Sequence, residues 1–104
     1  MAETTSEPIL DLLTDMTERS IEASDLDART LMLVRLAALV AVDAPPVSYL
    51  LNLGAADEAG IPEDQIRGVL AAVAPIVGTA RVASATGNVA RALGLAIELA
   101  EMED

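Results

Sequence analysis

A single aromatic side chain, Tyr49, has to serve the whole chain. There is no Phe and no Trp among 104 residues, although 53% of them are apolar. The core must therefore be assembled from Ala, Val, Leu, Ile and Met. Ala and Leu favour helix, and small side chains let helices approach closely. Five prolines and six glycines punctuate the chain. At this length one domain, residues 1–104, is expected, burying somewhat over ~60% of its unfolded surface around a thin core.

The charge balance removes several function classes. Net charge is −11; all six cations are Arg, and there is no His, no Cys and no Lys. Phosphate backbones and anionic membranes repel such a chain, so no nucleic-acid partner is expected. Without Cys there is no disulfide, thiol nucleophile or thiolate site, and without Cys or His zinc has no customary ligands. No run resembles a calcium loop. No metal and no cofactor are expected. The acidic start, MAETTSEPIL, lacks the basic region and apolar stretch of a secretory signal. The longest uncharged apolar runs, Gly68 to Ala80 being one, fall short of the ~18–20 residues that span a bilayer. A soluble cytoplasmic protein is expected, with no membrane partner.

Apolar residues at helical spacing predict an all-α fold of five or six helices. The first starts near Ser6, with Ser6 as cap and Pro8 in the first turn. Ile9, Leu12, Leu13 and Met16 form its apolar stripe, opposite an acidic face, so it should lie on something. Asp25 or Asp27 can cap a second helix, Ala28 to Val42, that is apolar nearly all round apart from Arg35 and so reads as buried on all sides. Pro45 and Pro46 end it and open a third, running to about Ala59 with Gly60 as C-cap. Pro62, Glu63 and Asp64 suit the first turn of a fourth, which Pro75 should kink or stop and Gly78 end. Thr79 can cap a fifth helix reaching about Glu101, with EMED frayed. No segment alternates convincingly as a strand.

Charge is distributed unevenly. The first thirty residues carry eight acids and two Arg, whereas Gly68 to Ile97 carries no acid and only Arg81 and Arg91. So apolar a half in so small a chain implies a second subunit. A homo-oligomer is expected, with Arg81 and Arg91 paired to carboxylates within or across subunits and with Gly54, Gly68, Gly87 and Gly94 at close helix crossings.

The stretch DAPPVSYLLNLGAADEAG, Asp43 to Gly60, places Ser48 and Asn52 four apart on one helix face, with Tyr49 beside them. Together with NLGAADEAGIPEDQIRGVL and GTARVASATGNVARALGL, it resembles the carboxymuconolactone decarboxylase and alkylhydroperoxidase D-like families over Asp27 to Leu95. The resemblance implies a helical domain that assembles as a trimer or hexamer. The peroxidase branch carries Cys-x-x-Cys and then His; laid on this chain, these fall on Pro45, Ser48 and Asn52, and a family glutamate falls near Leu33. Thiol-disulfide chemistry needs a thiolate, so hydroperoxide reduction is excluded. The decarboxylase branch needs a carboxylate anchor, for which Arg is suited, and a proton donor. Arg35, Arg81 or Arg91 could anchor, and Asp43 or Tyr49 could donate.

Ser48, Tyr49, Asn52, Arg35 and Arg81 are therefore the candidate pocket residues, with no catalytic residue assigned. Each has a structural alternative. Ser48 could satisfy backbone groups near Pro46, and Asn52 could bond a neighbouring helix. Tyr49 could fill a gap with its hydroxyl at the surface, and Arg35 could pair with a carboxylate of the first helix. GTAR at Gly78–Arg81 lacks the Lys and preceding strand of a phosphate loop. Three functions remain open: a non-redox family member binding a small apolar or carboxylated molecule, a lyase or isomerase acting on a lactone or keto acid, and a catalytically inactive oligomeric scaffold.

Overall fold

The computed structural model describes residues 7–103, without the side chains of residues 96, 100 and 103. Five helices follow one another: α1 (Pro8–Ser24), α2 (Ala28–Val42), α3 (Pro46–Glu58), α4 (Glu63–Val77) and α5 (Thr79–Glu103). There is no strand among the described residues. α2 packs against α3, α4 and α5, and α3 and α4 each pack on α5.

Local chemistry sets the helix ends. Ser6 lies outside the described residues; Glu7 caps α1, its Oε1 accepting the N–H of Ile9 at 2.9 Å. Asp27 caps α2 by accepting the Thr30 N–H at 2.7 Å. α3 and α4 open without a side-chain cap, Pro45 and Pro62 setting the extended entry. Ala59 is the C-cap of α3, and Gly60 turns the chain just beyond it at φ +78°. Pro75 neither stops α4 nor stands at its end: the helix continues to Val77. The bond that Pro75 cannot donate would have gone to the carbonyl of Ala71, an exposed residue that water can serve. Gly78, at φ +91°, then separates α4 from α5, which continues through the EM of the final EMED to Glu103.

The core gathers Leu36 and Val40 of α2, Tyr49 of α3, Ala85 and Ala92 of α5, and Ala44 from the α2–α3 turn. Ile66, Val69, Leu70, Val73 and Val77 of α4 pack against it as one stripe. Full burial of a side chain such as Val40 is worth about 1.5–3 kcal/mol. Ala85 and Ala92 are 1% and 0% exposed, so alanines supply the close approach of α5. Glycines do not: a Cβ on Gly54, Gly68 or Gly94 would meet nothing within 4 Å, and one on Gly87 would meet only an Arg91 nitrogen at 4.0 Å.

α2 is central but not buried on all sides. Leu31, Leu36 and Val40 face inward, while Val34 and Val42 are exposed. α1 departs further from expectation, for none of its residues is buried. Arg35 holds it, donating to Ser20 Oγ at 3.1 Å and to the Thr17 carbonyl at 3.4 Å. The partner of Arg35 is thus on α1, as expected, but it is a hydroxyl and a carbonyl. The radius of gyration, 15.1 Å, exceeds the ~13 Å usual for a domain of this length.

Candidate functional site

Two places concentrate chemistry. The first is the junction between the end of α2 and α5. Asp43 adopts the left-handed conformation at φ +56°, which Asp tolerates better than most residues. The N–H groups of Asp43 and Ala44 close the last turn of α2 onto the carbonyls of Val40 and Leu39. α5 satisfies the next acceptors: Arg81 Nη1 donates to the Ala41 carbonyl at 2.6 Å, and Asn88 Nδ2 to the Ala44 carbonyl at 3.1 Å. Arg91 in turn donates to Asn88 Oδ1 at 3.1 Å, and Ser84 Oγ donates to Asp43 Oδ1 at 2.6 Å. A cation over a helix C-terminus is electrostatically favourable. Among the described residues of the chain, Arg81 and Arg91 thus bind neutral acceptors rather than carboxylates.

Tyr49 lies just beyond this junction, 0% exposed. Its hydroxyl is buried, not at the surface, and has no hydrogen-bond partner among the described residues. Burial, and then the charge of Asp43, raise its pKa above the ordinary phenol value. Asn52 bends back on its own helix, Nδ2 donating to the Ser48 carbonyl at 2.9 Å. The Ser48 N–H bonds the Pro45 carbonyl. The structure thus keeps Ser48, Tyr49 and Asn52 adjacent on α3, sets Arg81 at the end of α2, and sends Arg35 to α1.

The second place is a groove of about 520 Å³ between α3, α4 and α5. Leu50 and Leu53 form one wall, Ile66 and Leu70 a second, Val89 and Leu93 the third. Asp57, Glu63, Arg67 and Thr86 supply its polar groups. Arg67 is its one cation, with Nη1 3.7 Å from Glu63 Oε2; both side chains are 70% exposed, so the pair is a weak one. Thr86 Oγ1 is turned back to the Val82 carbonyl at 2.9 Å. None of Ser48, Tyr49, Asn52, Arg35 and Arg81 lines this groove.

The groove residues escaped the sequence reading because their signal is ordinary helical periodicity. Leu50–Leu53–Asp57, Glu63–Ile66–Leu70 and Thr86–Val89–Leu93 are core-like stripes, and spacing alone does not say where three stripes leave a gap. Asn88 escaped because a lone amide in an alanine-rich helix has no pattern. Chemically, the groove offers apolar contact, one guanidinium and two carboxylates at the rim, with no nucleophile paired to a base.

Among the described residues, no group of three or more His, Cys, Asp or Glu side chains is placed to hold a metal ion. No helix of the described residues is long and apolar enough to cross a membrane. No curated protein and no solved structure matches the chain significantly. The family model for the carboxymuconolactone decarboxylase family matches residues 7–92, from the cap of α1 to the groove wall on α5. With the match spanning most of its length, through four helices and into the fifth, the chain belongs to the carboxymuconolactone decarboxylase family, and it has neither the paired cysteines nor the histidine of the redox branch.

Proposed function

We propose that this family member is a non-redox binding protein, working as a homo-oligomer, that takes a small apolar molecule bearing a carboxylate into the α3–α4–α5 groove. The observation that carries the reading is the groove itself: about 520 Å³, with leucine, isoleucine and valine walls and one guanidinium, Arg67, at its edge. Ligand sites are commonly apolar concavities with few polar groups that fix orientation, and Arg is suited to a carboxylate. In this reading Ser48, Tyr49 and Asn52 belong to a helix that forms the groove, Arg81 ties another of its helices to the end of α2, and Arg35 serves to hold α1.

The lyase alternative would use Arg67 as anchor and Glu63 or Asp57 as proton donor. It has less support, since Arg67 and Glu63 stand largely in water. The scaffold alternative is favoured by the internal hydrogen bonds of Asn52 and Arg81. Calorimetric titration with octanoate and, separately, 1-octanol tests the choice. Both should bind. Arg67→Ala should weaken octanoate about two- to fivefold, as expected for an exposed ion pair of ~0.5–1 kcal/mol, and leave octanol unchanged. Binding of neither probe, with wild-type folding intact, would overturn the ligand reading in favour of the scaffold.

A further inference from the structure

The groove has a polar end and an apolar end. Asp57 lies in the last turn of α3, and Glu63 and Arg67 in the first two turns of α4. All three charged groups of its lining therefore flank the corner that joins these helices. Leu50 and Leu70 line it about two turns away along α3 and α4. The charges at the corner do not balance, being two carboxylates against one guanidinium. Arg67 is shared with Glu63. Among the described residues, the Asp57 carboxylate has neither a hydrogen bond nor an ion pair. Its place in the helix adds to the imbalance. The C-terminus of a helix carries partial negative charge and favours cations in its last turn. α3 has no base there and carries Asp57 and Glu58 instead. A local rule broken in this way is expected at a functional position.

We propose that the ligand of the α3–α4–α5 groove is a zwitterion, an amino acid with a long apolar side chain. Its carboxylate lies toward Arg67, its ammonium toward Asp57 and the carbonyl end of α3, and its chain along Leu53, Ile66 and Leu70. The inference rests on the ligand reading above and names the class of ligand. A molecule with a carboxylate alone would meet Arg67 but add negative charge to a corner that already holds an excess of it. A zwitterion brings no net charge, and its cation gives Asp57 the partner that the chain does not supply. The seven residues from Leu50 to Asp57 rise ~10 Å, so a side chain of several carbons fits along the groove.

Calorimetric titration of the full chain with 2-aminooctanoate, N-acetyl-2-aminooctanoate, octanoate and octylammonium tests this. 2-Aminooctanoate should bind about two- to fivefold more tightly than octanoate, the range of an exposed ion pair. The N-acetyl compound keeps the carboxylate and loses the cation, so it should lose that gain. Asp57→Asn should remove the gain as well and leave octanoate no weaker. Asp57 is exposed, so the variant should fold, as circular dichroism would show; the N-acetyl comparison reads the same contact without any substitution. Octanoate or the N-acetyl compound binding as tightly as 2-aminooctanoate would overturn the zwitterion and leave the carboxylate reading standing. So would a gain that survives Asp57→Asn. Octylammonium binding most tightly of the four would overturn the carboxylate as well. No binding of any probe by the folded protein would remove the ligand altogether.

Discussion

Replacing Tyr49 by Phe isolates one oxygen atom in the centre of the core. The ring is 0% exposed and its hydroxyl has no hydrogen-bond partner among the described residues. Burying a hydroxyl without a hydrogen bond costs about 1–3 kcal/mol, and Phe keeps the ring contacts while removing that cost. Tyr49→Phe should therefore stabilise the protein by ~1 kcal/mol, which raises Tm by about 4–8 °C in a domain near this size. The assay is thermal and urea unfolding at pH 7 with protein concentration held fixed, because any assembly would add its own stability. Alkaline pH gives a second reading. The phenol is held above its ordinary value of 10.0 by burial and by Asp43. The native state therefore retains a proton that the unfolded state has lost, and the associated stability is full below pH ~10 and declines as pH rises through the folded value. Wild type should show that decline and Tyr49→Phe should lack it. A variant destabilised by ~1 kcal/mol or more would refute the reasoning, since the hydroxyl must then be hydrogen-bonded. Tyr49→Ala, by contrast, should cost about 3–5 kcal/mol through its cavity.

Asn88→Ala should destabilise by about 1–3 kcal/mol in urea unfolding, since it strips the buried Ala44 carbonyl and the Arg91 guanidinium of a partner at once. Gly68→Ala should stabilise by about 0.5–1 kcal/mol, its Cβ meeting no neighbour within a helix; Gly78→Ala should do the opposite, by ~1 kcal/mol or more, because φ there is +91°. The Asp27 carboxyl sits below its ordinary value of 3.8 because the backbone N–H of Thr30, and then its hydroxyl, hydrogen-bond it. Its contribution is present above that ordinary value and lost as pH falls through the lowered one, so Asp27→Asn should flatten part of the acid limb of stability against pH.

The helices themselves were legible because their causes are local. Apolar residues at i, i+3 and i+4, Pro at first turns, Asp27 before α2 and glycine after α3 and α4 act within a few residues of chain. The span Ala28–Val42 follows from them residue for residue. So does the loss of thiol chemistry, because no fold restores an absent cysteine. Pro75 shows the limit of even local rules: proline argues against a helix continuing, yet near a solvent-exposed last turn the orphaned carbonyl costs little and α4 runs on.

What tertiary structure decided is which surface meets which. Arg81 and Arg91 were expected to pair with carboxylates within or across subunits; among the described residues of the chain, packing α5 over the end of α2 gives Arg81 a carbonyl, and Arg91 reaches the Asn88 amide one turn back on its own helix. Ser48 and Asn52 share a face, as spacing requires, but Asn52 returns to its own backbone. The groove exists because three apolar stripes do not fill the space between them. A stripe in a sequence specifies that a face will avoid water; only the arrangement of the other helices decides whether that face meets a core, a cavity or, as for Ile9, Leu13 and Met16 of α1, stays largely exposed.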